Sequence, residues 1–176
     1  MKLSHKWLKE YLPHDYSPPQ VATFLTDTGL EVESYATTST VRGGLKGIVI
    51  GKVEDVWPHP NADKLKLTRV TIGDGESLQI VCGAPNVAKE QKVVVAPPGT
   101  TLYPRDKEPF NVKKAKIRDQ QSEGMICAED EVGLGADHEG IMVLRQDAEP
   151  GTNAADYFGI EEDTVFEIDL TPNRAE

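Results

Sequence analysis

The first apolar residues after Ser4, namely Trp7, Leu8, Tyr11 and Leu12, recur at helical spacing and stop at Pro13, which predicts a short amphipathic helix capped by Ser4. Ser17-Pro18-Pro19-Gln20 then combines a capping-box pattern with prolines tolerated in a first turn. Val21, Phe24, Leu25 and Thr28 line one face of this second helix, and Gly29 ends it. Glu31 to Tyr35 alternates as a short strand should. Two helices this short cannot bury their apolar stripes alone, so both are expected to dock on a later part of the chain. Thr37 to Gly44 reads as a polar link.

From Lys46 the period changes from helical to two. Gly47 to Trp57 is a long β-rich run whose central Gly51 predicts a sharp bend. Pro58 to Asp63 reads as a turn, Leu65 to Ile72 and Leu78 to Cys82 as a hairpin around Gly73-Asp74-Gly75-Glu76, and Lys92 to Ala96 as a further strand. Phe110 to Arg118 and Met125 to Ala128 bring the set to about five strands, the count of an OB-type barrel, whose open face binds oligonucleotides. Ile141 to Leu144 is strand-like, Thr152 to Phe158 predicts a capped helix ended by Gly159, and Val165 to Leu170 alternates as a strand. The fold class is therefore α+β, mainly β.

Composition changes this picture little, but charge does. No apolar run approaches the roughly 18 residues a membrane helix needs, and no leader pattern opens the chain, so a soluble, unexported chain is expected. Two cysteines, Cys82 and Cys127, fit a reducing compartment and buried thiols better than a disulfide. The net charge is −10, yet residues 46–118 carry thirteen Lys or Arg against eight Asp or Glu, while residues 119–176 carry two against sixteen. Screening over about 8 Å lets a basic groove and a distant acidic patch act independently, so a separate charged partner for each is compatible with this chain.

The densest basic run is Lys113-Lys114-Ala115-Lys116-Ile117-Arg118, followed by a polar turn and by Ser122-Glu123-Gly124-Met125. A basic strand leading into such a corner suggests a surface that reads phosphate, although an ordinary solvated strand face has the same spacing. Lys64, Lys66 and Arg69 add cations on the preceding hairpin. No catalytic constellation is present. His59, Cys82, Cys127 and His138 lack the paired spacing of a structural zinc site, the acids around 129–139 do not match a calcium loop, and residues 73–76 lack the lysine and length of a phosphate loop.

Three motifs carry a resemblance. Pro58-His59-Pro60-Asn61-Ala62-Asp63-Lys64-Leu65, Val81-Cys82-Gly83-Ala84-Pro85-Asn86 and Ile117-Arg118 with Ser122-Glu123-Gly124-Met125 resemble, in order, the tRNA-binding OB domain of EMAP-like proteins and several aminoacyl-tRNA synthetases. With the flanking Ser4 to Leu12, Gly29 to Glu33 and Asp169 to Arg174, the chain resembles the start of the beta subunit of the bacterial phenylalanyl-tRNA synthetase family. The resemblance implies a five-stranded OB barrel over 41–149, inserted into a small α/β domain made from 1–40 and 150–176. It also implies a cytoplasmic enzyme of two alpha and two beta chains that attaches phenylalanine to tRNA with ATP and magnesium. Its active sites would lie outside this stretch, leaving the fragment a non-catalytic tRNA-binding module or, alternatively, an assembly module without direct tRNA contact. Carried over residue by residue, the nucleic-acid face would hold Arg118, Ser122 and Met125 beside Lys113, Lys114 and Lys116, with Lys64, Lys66 and Arg69 on tRNA backbone and Ser122 donating to phosphate. The residue after the arginine is commonly glycine in that pattern. Here it is Asp119, which puts a negative charge where phosphate would approach.

Overall fold

The computed structural model describes residues 1–73 and 75–169, so Asp74 in the expected 73–76 turn, Leu170 and the closing motif from Thr171 lie outside the described residues. The chain divides into two compact units, Met1–Thr40 together with the segment from Glu161, and Val41–Ile160.

In the first unit β1 (Lys2–Ser4) runs into α1 (His5–Tyr11), followed by α2 (Pro18–Asp27) and β2 (Glu31–Ser39). The strand Glu162–Asp169 returns from the far end of the sequence and lies between β1 and β2, antiparallel to both. Its alternation sends Thr164, Phe166 and Ile168 inward, as the sequence pattern requires. Phe166 and Ile168 join Val21 in a small core with Leu8 and Leu25 packed against it. The helical stripes are only partly covered: Trp7, Tyr11, Leu12 and Phe24, expected to dock, remain 53%, 74%, 62% and 47% exposed. β2 also extends four residues beyond the expected strand into the polar link.

Ser4 caps α1 by accepting from the Trp7 amide at 2.9 Å and donates its own hydroxyl to Asp163, whose other oxygen accepts the Lys6 amide at 2.9 Å. Burial pushes the Asp163 carboxyl up, but those hydrogen bonds, with the Thr164 amide and His5, outweigh it and leave the group below its ordinary value. Burial pushes His5 down, helped by Lys9 and His14, and the buried Nε2 atoms of His5 and His14 have no hydrogen-bond partner among the described residues. Both shifts have the same sign in linkage. The folded unit binds protons less readily than the unfolded chain, so stability is complete at neutral pH and is lost on acidification. Melting followed by circular dichroism should therefore fall in two acid steps, one beginning below about pH 6.5 from His5 and one below about pH 4 from Asp163. His5→Phe should flatten the first step and Asp163→Asn the second.

The second unit opens with a 3-10 turn at Arg42–Leu45 and continues as β3 (Val49–His59), β4 (Ala62–Thr71), β5 (Ser77–Cys82) and β6 (Lys92–Ala96). Short strands follow: β7 (Thr101–Leu102), β8 (Phe110–Asn111), β9 (Ala115–Ile117), β10 (Gln120–Ser122), β11 (Met125–Ile126) and β12 (Val143–Leu144), then α3 (Ala154–Tyr157). Six of them form one sheet in the order β11-β6-β3-β4-β5, with β12 also on β6, whereas β7–β8 and β9–β10 are separate two-stranded ribbons. The single strand expected over Phe110 to Arg118 is thus split into β8 and β9.

β6 explains the centre of this unit. Val93 and Val95 enter one apolar cluster with Val53, Val70 and Ile80, while Val94 and Ala96 enter another with Ile50, Leu102 and Cys127. A strand covered on both faces needs the continuous apolar run this segment has. Gly51 faces β6 and β4 where a Cβ would come within 2.7 Å of both Val70 and Val95, so close packing explains that glycine. The segment 150–160, expected with the terminal domain, belongs to the second unit: Ala154 is fully buried in its core, and its amide donates to the Ile48 carbonyl at 2.9 Å.

Candidate nucleic-acid interface

The basic run folds into the β9–β10 hairpin, whose two turn residues, Arg118 at φ 44° and Asp119 at φ 70°, are both left-handed. A two-residue hairpin with positive φ at both positions matches the twist of its strands and ordinarily takes Asn or Asp with Gly. The aspartate in place of glycine at 119 therefore satisfies a backbone requirement, since Asp tolerates this region better than most side chains. Arg118 has no such excuse, and the turn is held from outside.

His59 is the holder. The Pro58-His59-Pro60-Asn61 motif forms the tip of the β3–β4 hairpin, where the buried His59 ring accepts the Asn61 amide on Nδ1 at 3.0 Å. That leaves Nε2 to carry the proton and donate to the Ile117 carbonyl at 3.1 Å, while Asn61 Nδ2 donates to the Arg118 carbonyl at 3.5 Å. His59→Ala should cost about 1 kcal/mol, because it leaves the partly buried Ile117 carbonyl and Asn61 amide without their partner. Amide hydrogen exchange at Asn61 and around Arg118–Gln120 is expected to accelerate well before the rest of the unit responds.

The corner after the hairpin is equally determined. Ser122, expected to donate to phosphate, is 3% exposed; its hydroxyl accepts the Val81 amide at 3.1 Å and donates to the Gly124 carbonyl at 3.1 Å. Both its roles are internal, which corrects that assignment. The Glu123 amide donates to the Gln79 carbonyl at 2.7 Å, and Met125 pairs with Ala96, so residues 122–126 reach both β5 and β6. Gly124 has φ 136°, and a Cβ there would lie 2.8 Å from the Ala96 carbonyl oxygen. Met125 is half-buried and packs on the core.

The cations divide into two groups. Lys66 is half-buried, its ammonium donating to the Pro85 and Val87 carbonyls at 3.2 and 3.1 Å, and Arg69 lies over the Trp57 ring at 6.0 Å. Lys114 pairs with Glu123 at 2.8 Å, and that hydrogen bond holds the Glu123 carboxyl below its ordinary value. Lys116 pairs with Asp119 at 3.2 Å. Lys64, Lys113 and Arg118 are exposed and, among the described residues, have no ion-pair partner. His59, Asn61 and Asn86, which hold the loops around these cations, were not singled out from the sequence for that role. Asn86, from the second motif, accepts the Ile141 amide at 3.0 Å and donates to the Ile141 carbonyl at 2.9 Å. The signal for such roles was there: short polar side chains at fixed places in turns flanked by buried strands.

Burial raises the thiols of Cys82 and Cys127 above their ordinary value, which makes both poor nucleophiles. No group of three His, Cys, Asp or Glu among the described residues is placed to hold a metal, and no helix among them is long and apolar enough to cross a membrane.

The unit is β-rich and presents an anchored basic hairpin, and the family described as "Putative tRNA binding domain" matches residues 48–153, more than half of the chain. The chain belongs to that family. Over its whole length it is 55% identical to the phenylalanine–tRNA ligase beta subunit of Bacteroides thetaiotaomicron and 51% identical to that of Porphyromonas gingivalis. It spans 21% of the length of each of these relatives. Among solved structures, the C-terminal domain of Plasmodium vivax p43 is similar, with 24% identity and a TM-score of 0.41 over 59% of this chain and 56% of that one.

Proposed function

We propose that the chain is the tRNA-binding portion of a phenylalanine–tRNA ligase beta subunit, and that its second unit holds tRNA backbone without taking part in the chemistry. The observation that carries this reading is the family match over 48–153, a span that contains every cation of the basic face. Lys64, Lys113 and Arg118 are the primary phosphate contacts, and Lys114 and Lys116 become available only by releasing Glu123 and Asp119. Arg69 serves beside Trp57. Lys66, Ser122 and Met125 shape the surface from within. The whole enzyme attaches phenylalanine to tRNA with ATP and magnesium, in the cytoplasm, in partnership with an alpha subunit.

The proposal extends to architecture. The terminal segments make one domain, and the segment between them makes a second of OB type. Support for a five-stranded barrel comes from residues 122–126, which bond to β5 on one side and pair with β6 on the other. The six strands of the sheet include β12, a two-residue addition on β6.

A second reading has its own observation. Three of the expected cations are engaged, Lys66 by carbonyls and Lys114 and Lys116 by carboxylates, as in a module kept for assembly. Titration of labelled tRNA with the chain at several salt concentrations separates the two. Three phosphate contacts should give log–log salt slopes of about −2 to −3 and a loss of roughly thirtyfold in affinity between 50 and 200 mM salt. A flat or absent response from the folded chain favours the assembly reading.

A further inference from the structure

Beside the basic hairpin the second unit opens into a groove of about 620 Å³, well within the range of small-ligand sites. Val81, Met125 and Ile126 supply apolar lining, and Phe110 and Lys113 reach it from the short segment that precedes β9. Phe110 is 40% exposed and is the one exposed aromatic of this unit among the described residues. We infer that this groove takes the base of an unpaired nucleotide, Phe110 stacking on its face and Lys113 holding its phosphate at the rim. The inference rests on the tRNA-binding reading and adds to it a subsite and a preference for single-stranded RNA.

The chemistry of the lining selects that ligand. Its carboxylates, Glu131 and Glu139, disfavour an anion inside, so phosphate stays with Lys113 and the neutral base enters. One oxygen of Glu131 already accepts the Ala128 amide at 2.8 Å, and His138, also in the lining, pairs with Asp130 at 3.0 Å. Glu139 keeps its carboxylate free of any described partner, ready to accept from a base amino group. A flat, partly apolar, neutral ligand carrying one phosphate is a nucleotide whose base has left its stack, which is also how RNA loops and ends are generally recognised.

The groove is preformed as well. Asn86 clamps Ile141 through both its amide and its carbonyl, and a Cβ on Gly140 would fall 2.5 Å from the Asn86 side chain. This segment can therefore close tightly over the β5 end only with glycine at 140. A ligand meeting a wall fixed this way loses little to ordering.

The test uses a short single-stranded oligoadenylate in which one 2-aminopurine is flanked by abasic positions, so that its fluorescence starts high and falls when the base stacks on an aromatic ring. Binding to the intact chain should quench it. Phe110→Ala should weaken oligoadenylate binding on the order of tenfold and abolish the quench, with an unchanged melting temperature, while Phe110→Tyr retains both. An RNA duplex should compete for the basic face and leave Phe110→Ala and the intact chain indistinguishable. If Phe110→Ala binds and quenches as the intact chain does, the groove assignment is overturned and the tRNA-binding reading stands. If the intact chain binds neither tRNA nor oligoadenylate, the tRNA-binding reading fails and the groove assignment with it.

Discussion

Replacing Lys64, Lys113 and Arg118 together by alanine should abolish most of the salt dependence of tRNA binding, flattening the log–log slope by about 2 to 3 and lowering affinity ten- to a hundredfold at low salt. The reasoning is electrostatic and local. These side chains are exposed and lack ion-pair partners among the described residues, so each presents a full charge to phosphate, and removing it leaves no counter-charge behind. Surface positions of this kind change folding stability by no more than about 0.5 kcal/mol, so lost affinity will report on binding alone. Asp119→Gly is the converse experiment. It frees Lys116, removes a carboxylate from the tip, and suits a backbone already at φ 70°, so affinity should rise severalfold without loss of stability. Unchanged affinity in both variants would move the function of this face from RNA contact to assembly.

The same residues show what the sequence could tell. β6 was legible because four consecutive apolar residues, Val93 to Ala96, have only one use in a small β-rich unit: a strand covered on both faces. The caps were legible too, since Ser4 and Gly29 act through the backbone of their own helices. Less could be said wherever a side chain's partner lies far along the chain. Ser122 and Lys66 have the chemistry of phosphate ligands, and nothing in their spacing reveals that Val81, Gly124, Pro85 and Val87 already use it. His59 carries no marker of burial, yet it braces a turn 58 residues away in sequence. The break between β8 and β9 was hidden because Val112-Lys113-Lys114 carries none of the glycine, proline or asparagine that marks a turn. Periodicity gave α1 an apolar face without saying whether anything covers it, and Trp7 and Tyr11 instead pack on one another, ring centroids 5.1 Å apart, at the surface. The family motifs survived all of this. Motif residues such as His59, Asn86 and Ser122 hold the loops around the basic hairpin through internal hydrogen bonds.

Phe166→Ala should cost about 3–5 kcal/mol, the loss expected when a large aromatic leaves a cavity in a core. Phe166 is fully buried at the centre of the first unit's sheet, opposite Leu3 on one neighbouring strand and Tyr35 on the other, and the His5 ring meets it edge-on at 5.8 Å between centroids. Among the described residues Val21 and Ile168 are the only buried apolar side chains that join it in this cluster, so little apolar material can collapse into the space. A core this small leaves a domain marginal, and a loss of that size is enough to unfold it. The readout is direct, because α1 and α2 contribute seven and ten helical residues against four in α3. The helical circular dichroism signal should collapse while the β signal of the second unit persists to a separate, higher melting transition. Binding then becomes informative. The basic hairpin, its His59 brace and the groove all belong to the second unit, so the tRNA affinity of Phe166→Ala should match that of the parent chain. An affinity that falls with the helical signal would instead assign part of the RNA contact to the first unit, where among the described residues Lys2 and Lys9 have no ion-pair partner and Lys6 is paired with Glu161.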